Sequence, residues 1–502
     1  MKGGYNMSTA VKKEKNAAYY IKAVIGLAIM AFFGMIPAPE PMTQVGMIVV
    51  GQFIGLIFLW TTVDMVWPTF AAIIMFGTIA TKVYPNSFAL ASVYEAGMQS
   101  IGNWCVIIVI ALLLFCEVLG QTGLIRRVAL WFLTRKIAKK NPWGFTFMFL
   151  FASLIVAIFM DVTASQLLLY ALATEVFELL GIEKEDKWAK VISIGIMISV
   201  VLSFAATPIC HTMPILFMGI YSAIAGVTVN WLGYMAVALP CAIIIWLIML
   251  CFFRFVVKPD MSKLESMDFD KIEALRPGTM SKRERFVVVV SAILVIVWIL
   301  PGFLAVLAPN AAFTQWMDSI TMLTPLLVVL VLFAIVRIDG KPILDIAETA
   351  GKINWMVVFL LAGIMMIASA MGEATTGISD WVMTVVSPMV SGLSPFAFIA
   401  LICVISVILT NIANNIPVGI VLITIGVPLS LQMGINPFLA AVAVSFSSNL
   451  AFTIPPAFVP VGTCYAYPYG GGKYTLRWGI VAAIVSIVIT VALIYPLGSL
   501  VG

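Results

Sequence analysis

Apolar runs of about 17 to 23 residues recur along the whole chain, the length needed to cross a hydrocarbon core of about 30 Å. Backbone inside lipid must satisfy its own hydrogen bonds, so runs of this length are read as helices. Composition agrees, with 62% hydrophobic and 10% charged residues, against about 25% charged in soluble domains. The expected fold class is an all-α polytopic membrane protein with about eleven transmembrane helices plus two re-entrant hairpins in an inverted repeat.

Crossings are expected near 20–37, 43–60, 66–81, 102–122, 190–227, 234–255, 286–306, 319–336, 354–371, 436–468 and 478–500. Two further apolar pairs, 144–181 and 394–431, are read as hairpins. This topology puts the N-terminus in the cytoplasm and the C-terminus outside. Every lysine and arginine except Lys82 then falls on the inner side, as the positive-inside rule requires. The rule also decides that 190–227 is one interrupted crossing, because two full spans would move the cationic loop before 286 outside. In domain terms, 1–19 is a disordered cytoplasmic tail without the features of a signal peptide. Residues 20–257 form an N-terminal half with the first repeat, 258–285 a cytoplasmic linker helix, and 286–502 the inverted C-terminal repeat. The stretch Arg126 to Lys140 is read as a basic amphipathic helix on the inner leaflet.

The repeat is visible in the residues. "VIIVIALLLFCEVLGQTGLIRRV" (106–128) resembles "VVFLLAGIMMIASAMGEATTGISDWV" (357–382). Each is followed by an apolar pair with a polar centre, "IVAIFMDVTASQLLLYAL" and "ISVILTNIANNIPVGIVLITI", and then by a proline-broken crossing, "SFAATPICHTMP" and "SSNLAFTIPPAFVP". Pro208, Pro214, Pro417, Pro455, Pro456 and Pro460 are expected to interrupt helix interiors. Half-helix N-termini can then hold an anion, and unwound carbonyls a cation.

Other classes find little support. HExxH, GxSxG and the P-loop GxxxxGK[ST] are all absent, and His211 is the single histidine, so an enzyme or an ATP-driven pump is not expected. The seven cysteines are odd in number and lack a CxxC, which supports neither a disulfide framework nor a zinc site. No cofactor and no nucleic-acid partner are expected; the partners are the lipid bilayer and a small anion.

This order of elements is similar to that of the divalent anion:sodium symporter family, the sodium-coupled dicarboxylate transporters, within the wider ion transporter superfamily. The resemblance runs over about 40–502 and includes "MSKRERFVVVVSAILVIVWILPGFL" (280–304). It implies a homodimer and elevator-type movement. It also implies that a Ser-Asn-Thr motif at each hairpin tip, with the adjacent helix break, binds sodium and the substrate carboxylates. The sequence departs from that motif at both tips, which read Asp161-Val162-Thr163 and Asn414-Asn415-Ile416.

The expected substrate contacts are Thr163, Thr207, His211, Asn414, Asn415, Thr453 and Pro455. The expected cation contacts are Asp161, Ser165, Asn411, Asn415 and Ser448, with Na+ or H+ as the coupling ion. Asp161 has three readings: a sodium ligand, a proton carrier, or the N-cap of the second hairpin helix. His211 is read as a substrate contact, a proton site, or the positive group facing Asp161. The function expected is cation-coupled secondary transport of a small organic anion at the plasma membrane. The alternative is a sodium/proton antiporter of the same superfamily.

Overall fold

A computed structural model describes residues 17–64, 66–85, 92–265, 269–275, 278–308, 310–320, 322–390 and 392–501. Most of the expected tail, 1–16, lies outside the described residues; helix begins at Ala17. The described chain is nearly all helical, apart from one two-stranded turn pairing Arg337–Ile338 with Lys341–Pro342.

The helices run in order as follows. The first five are α1 (Ala17–Phe32), α2 (Gln44–Thr62), α3 (Trp67–Gly77) and the short α4 (Ala80–Val83) and α5 (Ser92–Gln99). A long helix α6 (Trp104–Gln121) leads to α7 (Leu124–Leu133) and α8 (Lys136–Lys140). The first hairpin is α9 (Pro142–Ile158) and α10 (Val162–Leu179). The first broken helix is α11 (Lys187–Ala206) and α12 (Thr212–Ala225), followed by α13 (Trp231–Phe252). In the linker 258–285 the described residues form α14 (Ser262–Glu265), α15 (Phe269–Ala274) and the start of α16 (Lys282–Leu307). Then come α17 (Ala312–Ser319), α18 (Leu323–Ile335), α19 (Ile346–Ala350), α20 (Trp355–Gly372) and α21 (Ile378–Val390). The second hairpin is α22 (Pro395–Ile412) and α23 (Asn415–Gln432); the second broken helix is α24 (Pro437–Ser447) and α25 (Val459–Ala466); α26 (Gly472–Val501) closes the chain.

Two stretches of the chain run through the same order of elements. α6 and α20 each have 18 residues, and each is followed by a glycine in the left-handed region, Gly123 (φ 52°) and Gly377 (φ 60°), that turns the chain into an amphipathic helix. The second hairpin helices, α10 and α23, also have 18 residues each. Among the described residues ten helices are long and apolar enough to cross a membrane, and three of them, α10, α22 and α23, belong to the hairpins. Some expected crossings are therefore not single long helices: 66–81 is α3 plus α4, and 319–336 is the 13-residue α18.

The described residues divide into two compact units. One comprises residues up to 103 with 355–381, and the other 104–354 with 382–502. In the first, α2 packs against α1, α3 and α20, and Thr43 ties the start of α2 to the carbonyls of Thr375 and Thr376. In the second, both hairpins pack on the broken helices: α9 and α10 on α11, α22 and α23 on α24, with α13 and α26 alongside. α11 is buried from Val191 to Ala206, as expected of a helix surrounded by protein rather than lipid.

The prolines require a correction. Of the six expected to interrupt helices, Pro208, Pro455 and Pro456 stand where the helices break, as expected, and the other three do not lie in a helix interior. Pro214 and Pro417 stand in the first turns of α12 and α23, Pro460 in the first turn of α25, and Pro208, Pro455 and Pro456 in the breaks themselves. A first-turn N–H has no intrahelical acceptor, so proline there removes nothing, while its fixed φ favours starting a helix. These prolines start half-helices.

Candidate functional site

Each hairpin reverses at a tip whose polar residue caps the returning helix. Asp161 Oδ1 accepts from the backbone N–H of Thr163 (2.9 Å) and Ala164 (3.3 Å). Asn414 Oδ1 accepts from the N–H of Ile416 (3.0 Å). Asp161 and Asn414 therefore hold equivalent positions, one a carboxylate and the other an amide. Thr163 is half-buried beside Asp161, and Ser165 is buried with its hydroxyl on the Val162 carbonyl (3.0 Å).

The first break, Thr207–His211, leaves the last carbonyls of α11 without helical donors, and side chains meet them. The Tyr234 hydroxyl donates to the Ala205 carbonyl (2.6 Å) and accepts from Ser445 of α24 (3.2 Å). His211 is buried, with Nε2 2.8 Å from the Ala157 carbonyl at the end of α9. Its Nδ1 lies 3.0 Å from the Thr207 carbonyl and 3.1 Å from Thr207 Oγ1. Both ring nitrogens face backbone acceptors, Nε2 the Ala157 carbonyl and Nδ1 the Thr207 carbonyl, while the Thr207 hydroxyl donates to the Ser203 carbonyl (3.2 Å). His211 thus clamps hairpin 1 to the first break, and none of its hydrogen bonds runs to Asp161.

The second break, Ser448–Phe458, is held by hairpin 2. Asn411 donates to the carbonyls of Val407 and Leu450 (both 2.8 Å) and accepts from the N–H of Phe452 (2.9 Å). Thr453 donates to the Asn411 carbonyl (2.6 Å), and Thr410 to the carbonyl of buried Ser448 (2.5 Å). Asn415 donates to Asn449 Oδ1 (3.0 Å), and its own N–H reaches the Ala457 carbonyl (3.2 Å). Pro455 lies exposed at the rim of this break. Close approach is needed here: a Cβ on Gly479 of α26 would stand 2.2 Å from the Phe452 carbonyl oxygen.

The two breaks meet. Phe204 packs on both His211 and Phe458, with ring centroids 5.1 Å apart in each case. Gln166 of α10 donates to the Pro460 carbonyl (2.9 Å) and to the Tyr170 hydroxyl (3.0 Å), while its Oε1 is buried without a partner among the described residues. Asn411, Asn415, Ser448 and Thr453 are thus brought into one hydrogen-bonded cluster. Thr207 and His211 form a second, and Asp161, Thr163 and Ser165 a third at the first tip. Sequence reasoning missed Phe204, Phe458, Tyr234 and Gln166. The lone Gln166 in an apolar helix was a usable signal; the aromatic residues looked like ordinary membrane-helix content.

Helix ends set the electrostatics. α10 and α23 are capped by their own tips, whereas α12 and α25 begin at His211 and Phe458 with no side-chain cap. Two uncapped N-termini at two breaks are suited to negative groups on a ligand.

Paired hairpins and paired broken helices within one polytopic helical chain define a membrane transporter fold. Solved structures share it. The YdaH transporter of Alcanivorax borkumensis covers 96% of this chain and 97% of its own, at 13% identity and a TM-score of 0.52. MtrF of Neisseria gonorrhoeae covers 95% and 93%, at 15% identity and a TM-score of 0.55. The pattern of the sodium:sulfate symporter transmembrane region matches residues 17–502, and the chain belongs to that family.

Two curated relatives add detail. The Na(+)/citrate cotransporter of Rattus norvegicus is 24% identical over 280 residues, 47% of either chain. An uncharacterised transporter of Synechocystis is 26% identical over 145 residues, 29% of this chain and 23% of its own. The chain spans less than half the length of the curated relatives it matches.

Proposed function

We propose that this protein is a secondary carrier that couples entry of a small di- or tricarboxylate-like anion to sodium. The observation that carries this reading is the asymmetry of the four helix N-termini. Two are neutralised by their own tips, and the two at the breaks are free to receive an anion. Thr207, Thr453 and Asn415 stand beside those breaks; both threonine hydroxyls donate within the protein, so the second N–H of the Asn415 amide is the one of these side-chain donors assigned to a carboxylate oxygen. Thr163, Asn414, His211 and Pro455 are assigned to the surroundings of the same site.

The coupling cation is assigned to the first tip. Asp161 spends one carboxylate oxygen on the cap and keeps the other for a cation. A midplane carboxylate costs about 2.5–3.5 kcal/mol on insertion scales, and a bound cation offsets that cost. Ser165, Asn411, Asn415 and Ser448 are the further oxygen donors of the tips and breaks. Membership of a sodium-symporter family and the resemblance of part of the chain to a sodium/citrate cotransporter both favour sodium over protons.

Hairpins bonded to broken helices move most readily as one body, which favours an elevator over independent gating. The plasma membrane, a cytoplasmic N-terminus and a homodimer complete the proposal.

The test is uptake of labelled succinate, and separately citrate, into proteoliposomes under an inward sodium gradient or an inward proton gradient. Sodium-driven uptake is the expected result, and uptake driven only by protons would overturn the coupling assignment. The second reading, sodium/proton exchange at Asp161, is favoured by the carboxylate standing where the other repeat has an amide. It predicts no anion uptake but sodium-dependent proton flux, read with a pH-sensitive dye.

A further inference from the structure

We propose that Cys116 and Cys210 form a reversible redox lock that arrests the carrier. This rests on the alternating-access reading above. The structure joins these two sulfurs in a disulfide, with Cα atoms 6.1 Å apart and 94 residues of chain between them. This corrects the sequence expectation: a pair so distant in sequence, within apolar segments and without CxxC spacing, gives no local signal.

Placement supplies the function. Cys116 lies near the end of α6, beside Phe115, which stacks on Phe333 of α18 (6.3 Å, 5° between ring planes). α6 also packs on α19, outside the bundle of hairpins and broken helices, and meets that bundle at α12. Cys210 lies in the first break, between Thr207 and His211, with φ 57° in the left-handed region. The bond therefore ties the break that borders the proposed anion site to α6, a helix of the same compact unit that packs on α18 and α19 and is neither a hairpin nor a broken helix. Alternating access requires the break to change its surroundings, and a covalent tether removes one of the two states that the ligand must select between.

In the proposed topology the bond lies at membrane depth, with Cys116 in the half of α6 that leads to the cytoplasmic face. The cytoplasmic thiol pool is reducing, so a disulfide reached from that side is transient rather than permanent. Closing the lock takes one proton and one electron from each thiol. Under an azo oxidant such as diamide, both protons and both electrons pass to the N=N bond, which becomes a hydrazine. Opening is thiolate exchange with a dithiol, which leaves as its own cyclic disulfide. Both sulfurs are buried in this state, so small reagents are needed.

The experiment uses the purified full-length protein in proteoliposomes, reduced with dithiothreitol or oxidised with diamide. Non-reducing peptide mass spectrometry reads the 116–210 pair, hydrogen exchange reads residues 207–214, and anion uptake reads transport. Oxidation should produce the linked peptide, slow exchange at the break and cut uptake by about an order of magnitude, with recovery on reduction. Cys116→Ala should transport equally after either treatment, and Cys251→Ser, at an exposed cysteine elsewhere, should remain sensitive. Failure to form the pair, or full uptake by protein shown to be linked, overturns the lock. If reduced protein moves no anion, the carrier reading fails; hydrogen exchange at the break then decides the lock alone, and unchanged exchange overturns it.

Discussion

In the proposed mechanism Asp161 has two roles, helix cap and cation ligand, and substitution can separate them. Asn caps a helix about as well as Asp, so Asp161→Asn should change stability by less than about 0.5 kcal/mol. The same change removes the charge and should abolish or uncouple transport, read as uptake beside a thermal unfolding curve. Asp161→Ala should lose the cap as well, at about 1 kcal/mol. Full coupled uptake by the Asn variant would leave only the capping role. His211 is a different case. Its ring holds the Ala157 and Thr207 groups together, so His211→Ala should orphan buried acceptors and cost about 1–3 kcal/mol, read by thermal unfolding. The sequence exposed both residues because each is an isolated polar group in an apolar run. It could not give their partners, since a hydrogen bond to the Ala157 carbonyl, 54 residues away, leaves no trace in local composition.

At the scale of elements, the breaks are stable because other elements supply hydrogen bonds to them. Asn411 of α22 replaces two partners that a continuous helix would have provided for the second break, one for the Leu450 carbonyl and one for the Phe452 N–H. Asn411→Ala should orphan those groups at about 1–3 kcal/mol each and raise hydrogen exchange across 448–458. Gly479→Ala should act from the opposite side, because the neighbour it strikes is backbone and cannot rotate away. A loss of about 1–3 kcal/mol with impaired uptake is expected, and an unchanged unfolding midpoint would count against this packing. The hairpins, the breaks and the repeat were all legible from apolar lengths and proline clusters. The local meaning of the prolines was not, because a proline beside a break reads the same whether it interrupts a helix or starts one.

For the whole molecule, coupling predicts linkage between sodium and stability. A cation bound only by the folded protein should stabilise it by about 1.4 kcal/mol at about ten times its Kd. The unfolding midpoint should therefore rise with sodium at constant ionic strength, and the rise should vanish in Asp161→Asn. Equal stabilisation by potassium would remove the sodium assignment. Charge on the basic stretch 126–140 belongs to this scale too. Arg126 pairs with Glu175 in a bidentate contact (3.0 and 2.7 Å) that joins α7 to hairpin 1, and Arg127 reaches Glu284 (3.3 Å). The basic stretch read as a lipid-facing helix thus also spends charge on protein partners, each pair at about 0–1 kcal/mol while half-exposed.

The sequence by itself determined the class of fold, the repeated order of elements and the positions of both tips and both breaks. Lipid enforces those features through chain length, hydropathy and charge, and all three are written locally along the chain. Tertiary structure alone decided which polar groups meet: Gln166 with Pro460, Tyr234 with Ala205 and Ser445, Asn411 with the second break, Cys116 with Cys210. Those pairings depend on how helices distant in sequence pack, and packing is a property of surfaces that only the folded chain brings together.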